Sequence, residues 1–393
     1  MTAKGDELMK RMKLFLAALL FVALVPAAVL AETAGYDHGF YIKNDDGSFN
    51  LTINGRIQSK LFYNQQRGTP KQLSFQIRRA QMGVMAKYDD VVTAGFVLKH
   101  AVGNTAGTNF QTVNIANAIV ALQVIPEFTV TAGMVGLPLD MMTEASSAWF
   151  LLTEAPITST QSDGLKAITI LRPSFGTPDG LGVNFSGGYW KWFYSASVVN
   201  GTETNYDINP DRKMSAGFRT GVNILEPVPG SMTDFECSST PKLTISAGTD
   251  YQGKRVDPNT GANIKYLWTS SLGAGVRWGG FAFTSEGYYR KTKITTIGTA
   301  VWARPRLTDI GYYAAAGYYV LPKKLEIAGQ TGQIFRQGPA NDSWQFGGGL
   351  NYYVFDNNLK LQLAYTFTND FNDVTGSVQR HIHNMALMAS AIF

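Results

Sequence analysis

The chain has 393 residues and a formal net charge of +5, which falls to about +3 when the four bases and two acids of residues 1–31 are set aside. So small an excess argues against nucleic-acid binding. Charged residues make up 16% of the chain and aromatic residues 12%, whereas soluble domains carry roughly 25% charged residues. This composition suits a sheet with one face toward lipid and one toward water, and favours a membrane β-barrel over a soluble domain.

Residues 1–31 have the organisation of a secretory signal peptide. A basic stretch ending at Lys13 precedes an unbroken apolar run from Leu14 to Leu24. This run is too short to cross a membrane as a helix, and small residues precede a predicted cut before Glu32. No second long apolar segment follows, so the sequence excludes a helical membrane protein and predicts export across the inner membrane.

The mature chain alternates apolar and polar residues with the two-residue period of β-strands. Between positions 51 and 61, apolar residues or glycine occupy most odd positions, and polar residues occupy the even positions through Lys60. Segments 213–224 and 359–368 show the same pattern. We predict an all-β fold, with residues 32–48 as a short N-terminal segment and residues 49–393 as a transmembrane antiparallel β-barrel.

The connections between these segments alternate in length. Short turns are predicted at 89–90, 124–127, 187–188, 279–280, 321–323 and 356–358. Longer polar segments lie near 64–73, 101–111, 134–163, 201–212, 253–265, 293–308, 336–342 and 369–380. Short periplasmic turns and longer outer loops are typical of outer-membrane barrels, and segment 226–241 is the exception as a long turn containing prolines. The count gives about sixteen strands, enough to enclose a water-filled lumen.

Two features place the barrel in the outer membrane of a Gram-negative bacterium. Aromatic residues cluster near the short turns, as expected at a membrane–water boundary: Tyr88, Trp190, Trp192, Trp278, Phe281, Tyr319 and Phe355. The last strand alternates apolar residues and ends in Phe393. This ending resembles the recognition signal of the barrel assembly machinery, so Phe393 is the predicted assembly signal.

Segment 134–163 is the longest predicted loop and the candidate constriction. Residues 144–152 are compatible with a helix that Pro156 would stop. The segment carries no base and four acids: Asp140, Glu144, Glu154 and Asp163. The loop is expected either to fold inward and narrow the pore or to pack at the rim or a subunit contact.

Several segments resemble the phosphate-selective porin O and P family: 49–58 (FNLTINGRIQ), 75–90 (FQIRRAQMGVMAKYDD), 130–156, 194–201 and 311–330. The resemblance spans essentially the mature chain and is most specific at Gly55-Arg56 and at 78–80 (Arg-Arg-Ala). It implies a homotrimeric outer-membrane porin of sixteen strands with arginines along the channel wall. Arg56, Arg78 and Arg79 are the residues of this chain that lie in matching motifs.

The alternation also assigns charges to the lumen. Bases predicted to face inward are Arg56, Lys60, Arg79, Lys99, Lys166, Arg219, Lys265, Arg277, Arg290 and Lys360, and the acids are Asp250, Glu286 and Glu326. The adjacent Arg78 and Arg79 cannot both face inward on a regular strand, so one is expected at a bulge, at the rim or in a subunit contact. The excess of bases indicates an anion-selective field, although charges neutralised in pairs would leave an ordinary polar lumen.

The sequence therefore predicts a porin for passive diffusion of small hydrophilic solutes, preferably anions, with outer-membrane lipid, the assembly machinery and two further copies as partners. Its predicted pore-lining residues are Arg56, Lys60, Arg78, Arg79, Arg219, Arg277 and Arg290.

Two other functions stay open. One is a porin-like sheath around a multihaem cytochrome, which needs a wider barrel. The other is a barrel phospholipase, but no Ser–His pair or other catalytic motif is evident. The sequence has no haem-attachment motif and predicts no cofactor. His381 and His383 are spaced for a metal, but are better explained as solvated rim residues, so no metal site is predicted.

Overall fold

The computed structural model of the protein describes residues 33–37, 39–66, 70–105, 108–143, 145–156, 175, 179–200, 213–253, 255–256, 263–296, 306–337, 342–370 and 380–393. The predicted signal peptide and the inward assignment of Lys166 lie outside these residues. Within them, no helix is both long enough and apolar enough to cross a membrane.

The described chain forms strands over nearly all its length, because the two-residue alternation suits a sheet with different surroundings on its two faces. Three short strands are β1 (Thr33–Tyr36), β2 (Phe40–Lys43) and β12 (Arg255–Val256). The sixteen strands of the barrel are β3 (Phe49–Gln66), β4 (Gln72–Tyr88), β5 (Val92–Thr105), β6 (Thr108–Ile125), β7 (Phe128–Gly136), β8 (Asp179–Tyr189), β9 (Trp192–Asn200), β10 (Met214–Asn223), β11 (Lys242–Gln252), β13 (Asn263–Trp278), β14 (Phe281–Thr296), β15 (Arg306–Leu321), β16 (Leu325–Arg336), β17 (Ser343–Phe355), β18 (Leu359–Asp370) and β19 (Arg380–Ile392).

The barrel is closed and antiparallel throughout. Each barrel strand pairs with the next in sequence, and β19 pairs with β3 from Ile382 opposite Gln66 to Ile392 opposite Arg56. Closure satisfies the backbone hydrogen bonds of every barrel strand, which a sheet facing hydrocarbon requires. The predicted all-β barrel of about sixteen strands is confirmed.

The outer face is apolar and carries aromatic residues near the short turns. Six of the seven rings assigned there from the sequence are exposed: Tyr88, Trp190, Trp192, Trp278, Phe281 and Phe355. The seventh assignment was wrong. Tyr319 lies on the inward face, is buried, and contacts Phe235 and Tyr353, because its position follows the inward alternation of β15.

Five of the six predicted short turns lie where expected, at 89–90, 124–127, 279–280, 321–323 and 356–358, whereas the predicted loop at 201–212 lies outside the described residues. The expected turn at 187–188 lies instead at Trp190-Lys191, where Trp190 has a φ of 55°. The expected long loop at 101–111 is also wrong, because β5 and β6 stay paired up to Thr105 opposite Thr108. Threonine and other residues suited to strands extend this hairpin through a segment that looked polar.

The N-terminal segment and the C-terminus meet at the seam of the barrel. Strands β1 and β2 form a hairpin whose second strand pairs with the start of β3, with Phe40 opposite Ile53. Further along the same edge, Gly55 and Phe393 exchange two backbone hydrogen bonds. The ring of Phe393 lies so close over Gly55 that a Cβ there would come within 2.5 Å of it. The last residue therefore completes the strand pairing that closes the barrel.

Candidate functional site

The chain leaving β7 turns into the barrel and follows its inner wall. Leu137 packs against Val199 of β9, whereas Ser146 accepts a hydrogen bond from Arg56 of β3, so the segment reaches around most of the circumference. Buried apolar residues of this infolded segment, residues 137–156, are Leu137, Leu139, Met142, Ala145, Ala148, Phe150, Leu151, Leu152 and Ala155. The apolar composition that suggested a helix instead covers the wall of the lumen.

Glycines on the inward face make room for this segment. A Cβ at Gly317 of β15 would lie 2.6 Å from the Leu151 side chain, and one at Gly248 of β11 would overlap the Leu139 carbonyl. Leu152 is similarly close to Gly347 and Gly349. With larger residues at these positions, the infolded segment could not lie this close to the barrel wall.

The predicted helix at 144–152 is not formed. Of the described residues from 141 to 156, which leave out 144, Met141–Thr143 and Ser147–Trp149 form 3-10 turns and the rest are not helical. The backbone carbonyls of the infolded segment accept hydrogen bonds from side chains of the barrel wall, and not from backbone N–H groups of a helix. The pairs are Lys360 to Ala148, Gln362 to Phe150 (3.0 Å) and Asn351 to Leu151 (2.9 Å). Tertiary contacts therefore override the local helix preference.

The long turn between β10 and β11 also enters the lumen from the opposite end. Thr233 donates to Glu326 of β16, and Arg277 donates to the Ser231 carbonyl. Phe235 packs on Trp149 of the infolded segment, with ring centroids 6.0 Å apart. The two segments thus support each other inside the barrel.

Glu154 forms ion pairs with three basic side chains where the infolded segment returns to β3 and β4. Arg78 makes two hydrogen bonds to its carboxylate, at 2.6 and 2.7 Å. Lys60 and Arg79 lie 2.9 and 3.3 Å from the same carboxylate. This Glu154 cluster carries one negative and three positive charges, so a net positive charge remains.

A bulge brings both arginines to the same carboxylate. Gln58 of β3 pairs with Arg79, but the next residue, Ser59, pairs with Ile77, which leaves Arg78 as the extra residue. A bulge re-aims side chains and suspends the strict alternation. Of the arrangements that the sequence left open for this arginine pair, the structure has the bulge.

The carboxyl group of Glu154 is held ionised by its partners. Burial by itself would raise its pKa, but the hydrogen bond and charge of Arg78, with the charges of Lys60 and Arg79, keep the pKa below its ordinary value of 4.5. A group with a lowered pKa stabilises the fold above its unfolded pKa, and this contribution is lost as pH falls through the folded value. The cluster is therefore intact at neutral pH.

We expect the ion selectivity of this lumen, measured in a lipid bilayer, to stay constant from pH 7 to about pH 5 and to shift toward anions only in stronger acid, as Glu154 takes up a proton. Reversal potentials recorded across this range would measure the change. The variant Glu154→Gln should be more anion-selective than the wild type at pH 7 and should lack the acid transition. An unchanged acid transition in this variant would assign the titration to another group.

The other predicted pore-lining bases lie on the inward face beneath the infolded segments. Arg219, Arg277 and Arg290 are each at most 3% exposed. Arg290 forms an ion pair of 2.8 Å with Asp309, and Arg277 donates to backbone carbonyls including that of Phe283. The sequence treated all seven bases as equivalent. In the structure Arg56 and Arg78 are partly exposed, whereas the other five are buried: Lys60, Arg79, Arg219, Arg277 and Arg290.

The open part of the lumen follows the wall from β3 to β8. Inward-facing residues on β10 to β16 are buried almost without exception. On β3 to β8 many are at least partly exposed: Arg56, Gln76, Arg78, Gln81, Lys87, Lys99, Asn114, Asn117, Gln123, Thr131, Asn184 and Ser186. The open part of the lumen is therefore off-centre, with amides, hydroxyls and bases along its wall.

Sequence reasoning missed the glycine track and this off-centre position. The glycines at inward-facing positions were a usable signal, because a strand interior rarely favours glycine without a close approach. No comparable feature of the sequence indicated which side of the lumen the infolded segment would cover. His383, one of the two rim histidines, faces outward and contacts the Tyr365 hydroxyl at 2.8 Å.

A closed barrel of sixteen antiparallel strands with an infolded loop defines the fold of the outer-membrane porins. No protein-family model matches the sequence, and no curated protein sequence matches it. Solved outer-membrane proteins match the fold over the full length of their own chains. They include the trimer form of OmpT from Vibrio cholerae (TM-score 0.58, 11% identity, 88% of this chain covered) and the anion-selective porin of Comamonas acidovorans (0.58, 13%, 88%). The outer membrane channel DcaP of Acinetobacter baumannii is also similar (0.58, 11%, 92%).

Proposed function

We propose that the protein is an outer-membrane porin for passive diffusion of small hydrophilic solutes, with a preference for anions. The observation that carries this proposal is the half-filled lumen, which keeps a polar path along β3 to β8 while the infolded segments cover the rest. A water-filled path through an apolar-surfaced barrel needs no catalytic group, so we propose no enzymatic activity.

The anion preference rests on the bases that remain beside this path. Arg56, Arg78, Lys87 and Lys99 have side chains at least partly exposed on the open side, and Glu154 is the acid among them. A low-dielectric wall focuses the field of such bases on a passing ion. Screening acts over about 10 Å at 0.1 M salt, so the preference should weaken in strong salt.

Under a KCl gradient at low salt, the zero-current potential of the reconstituted channel should show chloride selectivity. The double variant Arg56→Gln/Arg78→Gln should reduce it several-fold, because two bases leave the open side. Lys191→Gln/Lys324→Gln is the matched control, since it removes two bases from the short turns at the other end of the barrel. A cation-selective wild type, or equal effects of control and double variant, would contradict the assignment of the field to this wall.

The homotrimer predicted from the sequence is part of the same proposal. The apolar outer face and the trimer form of the similar OmpT structure support an outer-membrane homotrimer. A preference for phosphate would be a narrower specificity than a preference for anions in general. Competition of phosphate with chloride conductance would test it, and the bases of the Glu154 cluster are the groups to bind phosphate.

The cytochrome sheath is the weaker alternative. A multihaem partner would need the lumen that residues 137–156 and 226–238 occupy. For a cytochrome to enter, the buried hydrogen bonds between these segments and the wall would have to break. Examples are those from Asn351 to Leu151 and from Arg277 to Ser231. We therefore propose no haem partner.

A further inference from the structure

Three bases form a compact patch on the outer face of the barrel, away from the channel. Lys291 and Lys293 follow one another on the outward face of β14, and Arg306 begins β15. Lys291 and Arg306 are exposed and Lys293 is half-buried. The neighbouring residues at alternating positions, Thr292 and Leu307, are buried in the inward face.

The register of the strands sets like charges side by side. Lys293 is directly opposite Arg306, and Lys291 lies two residues along the same face. Like charges directly opposite on adjacent strands destabilise a sheet. Among the described residues, none of the three forms an ion pair with an acid, and the nearby Asp309 faces inward to Arg290. An arrangement with this cost is explained if an external anion binds to it.

The patch lies at the height of the outer membrane boundary. From Phe281, in the aromatic belt beside the short turns, to Lys291 is ten residues, or about 33 Å along a strand. With the usual strand tilt of about 40°, this corresponds to about 25 Å across the membrane, the height of the apolar band of such barrels. Lys291 and its neighbours therefore reach the level of the outer-leaflet headgroups.

Aromatic rings underlie the bases on the same face. The Lys291 ammonium lies 5.7 Å from the centre of the Trp268 ring and 5.3 Å from that of Tyr289. Tyr266 of β13 stands opposite Lys293. Rings at the interface contact acyl chains, while basic side chains reach up to the headgroups. The surface thus combines an apolar lower part with a cationic upper part.

We propose that Lys291, Lys293 and Arg306 form a binding site for a phosphate-bearing lipid of the outer leaflet, with its acyl chains against Trp268 and Tyr289. Lysine and arginine bind phosphate through charge-assisted hydrogen bonds, and a dianionic headgroup relieves the repulsion between the three bases. The inference rests on the outer-membrane location of the proposed function, but it is independent of what the channel conducts.

Native mass spectrometry of the detergent-folded protein with bisphosphorylated lipid A tests the site. We expect discrete lipid adducts on the wild type and at least about a tenfold loss of affinity in Lys291→Gln/Lys293→Gln/Arg306→Gln, since each base contributes to headgroup binding. Dephosphorylated lipid should bind the wild type as weakly as the intact lipid binds the triple variant. The control Lys191→Gln/Lys323→Gln/Lys324→Gln removes three bases near the opposite rim and should leave the adducts unchanged.

Equal binding by wild type and triple variant, or equal binding of the phosphorylated and dephosphorylated lipids, would overturn the site. A triple variant that loses its oligomeric state but keeps its lipid adducts would assign the patch to a subunit contact. Conductance of the same preparations in bilayers separates the two proposals. Adducts without a channel would contradict the porin function alone, whereas a normal channel without adducts would contradict the lipid site alone.

Discussion

Replacing Gly317 with valine should release the infolded segment and raise the single-channel conductance. A Cβ at this position would lie 2.6 Å from Leu151 and 2.7 Å from the Glu326 carboxylate, and valine adds two further methyl groups. Overpacking of this kind costs about 1–3 kcal/mol. The strand itself should tolerate valine, because β-branched residues suit strands. The strain is therefore relieved most easily by movement of the segment.

The conductance should rise by up to about twofold, because the space that the segment leaves would fill with water in a barrel of this width. Combining Gly317→Val with Gly217→Val should give the larger effect, since the nearest atoms to a Cβ at Gly217 are those of Leu137 and Pro138 in the infolded segment, at 3.1 Å. Planar-bilayer recordings with neutral polymers of graded size would measure both the conductance and the pore width. The open-channel noise should increase as well, because the detached segment would move in the lumen.

The matched control is Gly287→Val on β14. This glycine faces outward, and a Cβ there would meet nothing nearer than a backbone oxygen at 3.9 Å. The control carries the same substitution in the same kind of strand, so it should leave conductance unchanged. If the control raises conductance as much as Gly317→Val, the effect belongs to strand stability. If neither changes it, the segment does not limit the current.

Deleting Phe393 should prevent most of the protein from reaching the outer membrane as a folded barrel. The residue completes the pairing of β19 with β3 and resembles the terminal signal of the assembly machinery. The residue is 40% exposed, so its loss should lower stability by only about 1–2 kcal/mol. Membrane fractionation should therefore show a large loss in cells, while refolding in detergent should give a barrel with near-normal conductance.

Gly55→Ala separates recognition from packing. The new Cβ would come within 2.5 Å of the Phe393 ring and displace it, yet it leaves the C-terminal sequence intact. If the C-terminus acts as a signal, this variant should assemble in cells almost normally. If the contact at the seam is what matters, Gly55→Ala and the deletion should fail together, in cells and in detergent alike. Phe393→Tyr keeps both ring and signal and serves as the conservative control.

The sequence by itself determined the barrel and its inner and outer faces. Alternation with period two assigns Arg56 and Arg277 to the lumen and Trp278 to the outside without reference to any partner, because side-chain direction in a strand follows position alone. The lengths of the connections set the strand count in the same local way. These predictions failed where local preference was ambiguous, as in the polar stretch 101–111, which continues the β5–β6 hairpin.

Tertiary structure alone decided which inward charges remain beside the open part of the lumen. Arg56 and Arg277 both face inward and carry the same charge. The infolded segments nevertheless bury Arg277, whereas Arg56 stays partly exposed. That difference depends on contacts between residues far apart in the chain, such as Lys360 with the carbonyl of Ala148. It also depends on glycines that matter only because Leu151 approaches them. Side-chain direction is a local property of the strand, whereas exposure depends on what packs against it.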